Sequence, residues 1–108
     1  MPKDPEDNVV KLDLNNPTFQ NNWLSLEKTE RDRVTNTLSK LMKLTWNQLY
    51  KDQGLKWEKT TGIKPSPEFK SLYSLRITQS RRATAYREQE FIRFLTIQQD
   101  HDSIYGKK

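Results

Sequence analysis

Five arginines and one histidine in the last third of this 108-residue chain are the side chains best suited to chemistry. Arg76, Arg81, Arg82, Arg87 and Arg93 are spread along LYSLRITQSRRATAYREQEFIRFLTIQQ, residues 72–99, and His101, Asp102 and Tyr105 follow closely. A guanidinium offers phosphate two parallel, charge-assisted hydrogen bonds, and a β-strand holds that fork still. An imidazole is the one side chain that exchanges a proton near neutral pH without a large shift. In an RNA-cleaving site, such a group takes the proton from a 2'-hydroxyl or gives one to the departing 5'-oxygen, while arginines stabilise the extra charge on the phosphorane. The plainer alternative is that several arginines face outward and pair with Glu88, Glu90 or Asp100, and that His101 is exposed and idle. Strand alternation turns Arg82 to the opposite face from Arg81 and Arg87, so at most two or three of the arginines line one site.

Charge placement agrees with a polyanion-facing C-terminal half. Residues 1–50 hold seven Lys/Arg and seven Asp/Glu, whereas residues 51–108 hold twelve against seven, so the whole formal excess of +5 lies in the second half. A solvated basic surface kept for solubility fits the same count. The absence of cysteine rules out a disulfide framework and thiolate chemistry, and a single histidine argues against a multi-ligand zinc or iron site, so no metal or cofactor is expected. No apolar run approaches the roughly 20 residues that span a bilayer, and with a polar N-terminus, MPKDPEDN, the expected location is cytoplasmic, without a membrane partner. Hydrophobic residues make up only 32% of the chain, but three Trp, four Tyr and four Phe supply bulky anchors that a disordered chain lacks.

The elements that must position these side chains follow from periodicity. At this length one domain with a modest core is expected, with residues 1–8, rich in Pro and charge, as a flexible arm. Val10, Leu12 and Leu14 alternate with Lys11 and Asp13 as a short half-buried strand, and Asn16-Pro17 predicts a capped helix start. Between Glu27 and Gly54 there is no Gly or Pro, and Val34, Leu38, Leu41, Met42 and Leu49 fall near helical spacing. Thr45-Trp46-Asn47-Gln48 has capping-box spacing, which predicts a break or kink at Thr45 and a helix end at Gly54. Trp23, Trp46 and Trp57 are expected between helices and sheet, with base-stacking platforms as the alternative. EKTTGIKPSPE, residues 58–68, reads as the main loop. Period two then predicts strands over 69–78, 82–87 and 91–97, with Tyr73, Leu75 and Ile77 on one face, a tight turn at residues 88–90, and Phe91, Arg93, Leu95 and Ile97 sharing a side. Their short connections make the strands antiparallel.

Three blocks carry a family resemblance: Arg82-Ala83-Thr84-Ala85-Tyr86-Arg87, then Phe91-Ile92-Arg93-Phe94-Leu95-Thr96-Ile97, then His101-Asp102-Ser103-Ile104-Tyr105. In this order, over residues 72–105, they resemble the C-terminal half of RelE/ParE-superfamily toxins, particularly the HigB-like branch, which are the toxin halves of type II toxin-antitoxin pairs. The resemblance implies an α+β fold in which a small antiparallel-rich sheet packs against N-terminal helices, as one RelE-like toxin domain over residues 9–105. It further implies a metal-independent endoribonuclease that needs no cofactor and cleaves mRNA, often on the ribosome, to inhibit translation. Carried over by position, Arg82 corresponds to the phosphate-binding arginine, His101 to a histidine near the end of the last strand, and Tyr105 to a C-terminal aromatic. Lys56, Lys59 and Lys64 occupy the region where such toxins place further basic residues, and Arg76, Arg81 and Arg87 complete the expected RNA-binding set. The implied partners are a cognate antitoxin, in a hetero-oligomer, together with mRNA and the ribosome. Gln89 stands where these toxins often have glycine, which bears on the turn. Some superfamily members inhibit DNA gyrase instead, and a non-catalytic RNA- or protein-binding module is the alternative of another class.

Overall fold

The computed structural model describes residues 5–60 and 71–99. Strands β1 (Lys11–Asp13), β2 (Glu58–Lys59), β3 (Tyr73–Thr78), β4 (Arg81–Glu88) and β5 (Phe91–Gln99) form one sheet in the order β1-β5-β4-β3-β2. The pairs β2/β3, β3/β4 and β4/β5 are antiparallel, and β1 joins β5 in parallel. Helices α1 (Pro17–Leu24), α2 (Lys28–Leu41) and α3 (Trp46–Lys51) precede most of the sheet in sequence. The architecture is the expected α+β, a small antiparallel-rich sheet packed against N-terminal helices. Among the described residues no helix is long and apolar enough to cross a membrane.

Helix α1 starts where its sequence requires. Asn16 stays extended, its Oδ1 accepts hydrogen bonds from the Thr18 and Phe19 amides, and Pro17 occupies the first turn. This aims Phe19 into the core, 4.9 Å from the Phe94 ring, so that α1 lies on β5. Asn22 of the same helix accepts a hydrogen bond from the Ile97 amide at 2.9 Å. Along α2, Val34, Leu38 and Leu41 recur at helical spacing and are buried against β3.

The helical region breaks rather than kinks. Thr45 adopts an extended conformation, its side chain accepts from the Gln48 amide, and the Gln48 side chain accepts from the Thr45 amide. The backbone around this break serves the N-terminal segment, since the Val10 amide donates to the Leu44 carbonyl and the Trp46 amide to the Asn8 carbonyl. Helix α3 then ends at Lys51, three residues before Gly54, because Asp52 turns extended and its carboxylate accepts from the Leu55 amide.

Three readings are corrected. Residues 5–8 belong to the predicted flexible arm, yet Pro5–Asp7 form a 3-10 helix tied down by Glu6 to Arg87 at 2.6 Å and by Asn47 to Asp7 at 3.1 Å. Glu58 and Lys59, read as loop, are a two-residue edge strand, too short for any period to reveal. The third correction concerns β5. Thr84 pairs with Thr96 but the next residue, Ala85, pairs with Phe94, so Leu95 is an extra residue, a β-bulge. Period two flips there. Ile92, Phe94 and Ile97 are buried toward the helices, whereas Phe91 and Arg93 face the other way, so Ile97 does not share their side.

The β4–β5 turn offers a simple test. Gln89 has φ +56°, a left-handed conformation that favours glycine. Relieving a penalty of about 1–2 kcal/mol, less the entropy glycine loses, Gln89→Gly should stabilise the domain by about 0.5–1 kcal/mol. Thermal unfolding would show a midpoint a few degrees higher; an unchanged or lowered midpoint would contradict this turn geometry.

Candidate nucleic-acid interface

The sheet separates the arginines into two groups. Ala83 and Ala85 of β4 are buried under the helices, together with Leu75 and Ile77 of β3. The alternate residues, Arg82, Thr84 and Tyr86, with Ser74 and Arg76 on β3, therefore lie on the face away from the helices. Arg76 and Arg82 are direct cross-strand partners. The Arg82 Nη2 donates to Ser74 Oγ at 2.7 Å and to the Lys56 carbonyl at 3.4 Å, and lies 3.9 Å from the Glu58 carboxylate. Only 20% of the Arg82 side chain is exposed, so the fork is held and yet reaches the surface. Beside it, Thr84 and Thr96 hydroxyls share a hydrogen bond of 2.6 Å.

Lys56 contributes through its backbone. Its φ is +53°, and the preceding residue is fixed by a 2.7 Å hydrogen bond from the Arg76 amide to the Leu55 carbonyl. A non-glycine residue in the left-handed region costs on the order of 1–3 kcal/mol and persists where its surroundings impose it. Here that conformation accompanies the placement of the Lys56 carbonyl against Arg82. Lys59 is on β2, opposite Tyr73, and so faces the other side of the sheet from Glu58, which is opposite Ser74.

Arg81 and Arg87 face the helices. Arg81 Nε lies 3.4 Å from Glu30 of α2. Arg87 stacks on the Trp46 ring at 4.0 Å and donates to Glu6 and to the Tyr50 hydroxyl at 2.6 Å each. These contacts join β4 to the helices and the N-terminal segment, so the structure brings Arg76 with Arg82 but does not bring Arg81 or Arg87 to the same face. Arg93 shares the face of Arg82 but is clasped by Asp13 and Glu88. Of the anticipated acidic partners, Glu88 pairs with Arg93 and Glu90 pairs with Lys11, while Glu6, Glu30 and Asp13 are further arginine partners; Asp100 lies outside the described residues. Trp46 is fully buried, and Trp23 and Trp57 are partly buried against the core, Trp57 stacked on Tyr73 at 4.8 Å. They pack as core anchors. His101, Asp102, Tyr105 and Lys64 lie outside the described residues.

Ser74 and Glu58 were not singled out from sequence. Ser74 was findable, since it alternates with Arg76 and the antiparallel register sets it diagonal to Arg82. Glu58 was not, because it belongs to the strand hidden within the apparent loop.

Glu30 ties α2 to the β3–β4 turn beneath this face. The hydrogen bond from the Thr78 hydroxyl, at 2.6 Å, with further help from Ser80, Arg33 and Arg81, lowers its pKa from the ordinary carboxylate value against the opposing effect of burial. A folded-state pKa below the unfolded one contributes stability at neutral pH that is lost as pH falls through the folded value. Acid unfolding of wild type should therefore show a steeper loss of stability than that of Glu30→Gln, which is the less stable of the two at neutral pH. Parallel pH dependence in both proteins would remove Glu30 from this role.

The fold and the face together define an α+β protein with a paired-arginine surface opposite its helices. No protein-family model, curated protein or solved structure matches the chain.

Proposed function

We propose that this protein is the toxin of a type II toxin-antitoxin pair, a metal-independent endoribonuclease of RelE-like, HigB-like type that cleaves mRNA on the ribosome. The observation that carries the reading is the Arg76/Arg82 pair, adjacent on neighbouring strands, turned away from the helices, with Arg82 steered by Ser74. Two forks on one rigid surface suit a phosphate that gains charge during reaction. The three sequence blocks that resemble the family supply the rest of the support. Arg82 binds the scissile phosphate, Arg76 assists, His101 moves a proton and Tyr105 supports the site.

The surplus of positive charge in residues 51–108 favours an acidic antitoxin segment that folds over this face, giving an inactive hetero-oligomer in the cytoplasm. Expression of the chain alone in a bacterial host, and together with the neighbouring gene product, tests the reading. Growth arrest with freshly cut mRNA, relieved by co-expression, is the expected result. Normal growth at good soluble yield would overturn it, and arrest with inhibited supercoiling but intact mRNA would replace it with the gyrase-directed reading.

A further inference from the structure

Thr84 and Thr96 stand in the middle of the face that carries Arg82, and a local irregularity is what puts Thr96 there. In a regular β5, Phe94 and Thr96 would point to the same side, and Phe94 is buried toward the helices. The β-bulge at Leu95 inserts one residue between them, so Thr96 lies opposite Thr84 on the far face while Ile97 returns to the core. Bulges re-aim side chains beside functional sites, and the group re-aimed here is a hydroxyl. Both threonines are half-buried, and their hydroxyls lie 2.6 Å apart. One proton is spent between the two oxygens, which leaves the pair one hydroxyl proton and spare lone pairs to offer a ligand. A phosphate is better served by a cation, whereas a neutral group that both donates and accepts matches a ribose 2'-hydroxyl, which does the same.

We propose that the Thr84/Thr96 pair is a ribose-reading subsite, which binds the 2'-hydroxyl of a nucleotide next to the scissile one and so selects RNA over DNA. This rests on the endoribonuclease reading above, which places the scissile phosphate on Arg82. Arg82 and Thr84 are two residues apart on β4, roughly 7 Å at the rise of a strand, a distance comparable to the step between successive nucleotides of an extended single strand. One threonine donates to the other, the second donates to the 2'-oxygen, and the 2'-hydroxyl donates back to the first, closing a ring of three hydrogen bonds. The hydroxyl read in this way belongs to the neighbouring nucleotide and is not the attacking one, so binding it fixes the register of the strand and leaves the reacting group free.

The test pairs protein variants with altered substrates. The cleavage site is mapped on ribosome-bound mRNA, and single-turnover rates are measured with mRNA carrying one 2'-deoxy substitution at either flanking nucleotide. Wild type should lose about 3- to 10-fold in rate at one of the two flanks, the worth of one or two hydrogen bonds. Thr84→Val/Thr96→Val, which keeps the branched shape without the hydroxyls, should lose the same factor on all-ribose mRNA and nothing further on the deoxy substrate. Thr84→Ser/Thr96→Ser should regain the discrimination, and Arg82→Ala should cleave far more slowly while keeping it. A cross-strand pair that merely stabilises the sheet would not make the protein and substrate changes redundant. Equal deoxy sensitivity in wild type and the double valine variant, or none in wild type, would overturn the subsite, and a defective Arg82→Ala would then leave the endoribonuclease reading standing. If wild type leaves mRNA intact, that reading falls, and binding of single-stranded RNA against DNA of the same sequence decides the subsite by itself. A preference for RNA lost in the double valine variant supports it, and a preference that is retained or absent overturns it.

Discussion

Trp46→Ala should be the most destabilising single substitution in the described core. Trp46 has no exposed surface, and its indole Nε1 donates to the Glu90 carbonyl at 3.1 Å across the β4–β5 turn. Arg87 lies over its ring, and the rings of Tyr50 and Trp57 pack at 5.7 and 5.6 Å. Truncation opens a large cavity, leaves the Glu90 carbonyl with only the Lys11 amide of its two donors, and removes the surface on which Arg87 stacks. Such substitutions cost about 3–5 kcal/mol, against total stabilities of about 5–15 kcal/mol for domains of this kind. A fall in the unfolding midpoint on the order of 15–30 °C is expected, measured by calorimetry or near-UV circular dichroism. Trp46→Phe should recover part of the loss, since it keeps a ring beneath Arg87. A loss below about 1 kcal/mol for Trp46→Ala would show that the N-terminal segment, α3 and the β4–β5 turn do not meet at this residue.

The second large effect is on activity. Arg82→Ala removes a guanidinium held by Ser74 and the Lys56 carbonyl beside Arg76, and loss of one donor to transition-state charge typically costs about 10²- to 10³-fold in rate. Its alternate-face position leaves the buried alanines of β4 undisturbed, so the unfolding midpoint should change little. Arg82→Lys should restore charge but not the fork, and recover only part of the rate. Arg76→Ala should act in the same direction with a smaller effect, because the proposed reading places the scissile phosphate on Arg82 and gives Arg76, its cross-strand partner, the assisting role. Wild-type cleavage by the folded Arg82→Ala protein would detach the chemistry from this face.

Much of this site was legible because one face of the sheet is buried. Leu75 and Ile77, and then Ala83 and Ala85, alternate with polar residues since the helices cover them, and that alternation alone assigns Arg82 to one face and Arg81 with Arg87 to the other. Asn16-Pro17 and the Thr45 box were equally plain, because a cap is a local hydrogen-bond arrangement written in neighbouring residues. Non-local and sub-periodic features were hidden. The bulge at Leu95 inserts one residue and reverses the facing of Ile97, which no alternating pattern announces. The anchoring of residues 5–8 depends on Glu6 meeting Arg87, 81 residues away, and on backbone exchange with the break between α2 and α3. The partners that divide the arginines between structure and site, Glu30, Ser74 and Glu58, lie on other elements, and only the tertiary register brings them together.

The same register sets Arg82 and Arg87 five residues apart on opposite faces of one strand, and because the proposed function gives them opposite duties, comparing them tests the central claim most directly. Cleavage rate on mRNA with ribosomes and the unfolding midpoint should be measured side by side for Arg82→Ala and Arg87→Ala. The predicted result is a double dissociation. Arg82→Ala loses about 10²- to 10³-fold in rate at a near wild-type midpoint, while Arg87→Ala, deprived of Trp46, Glu6 and Tyr50, loses midpoint but cleaves within a few-fold of wild type under conditions where it is folded. The reverse pattern, with the rate lost in Arg87→Ala and retained in Arg82→Ala, would contradict the proposal that the face turned away from α1, α2 and α3 is the RNA-cleaving surface.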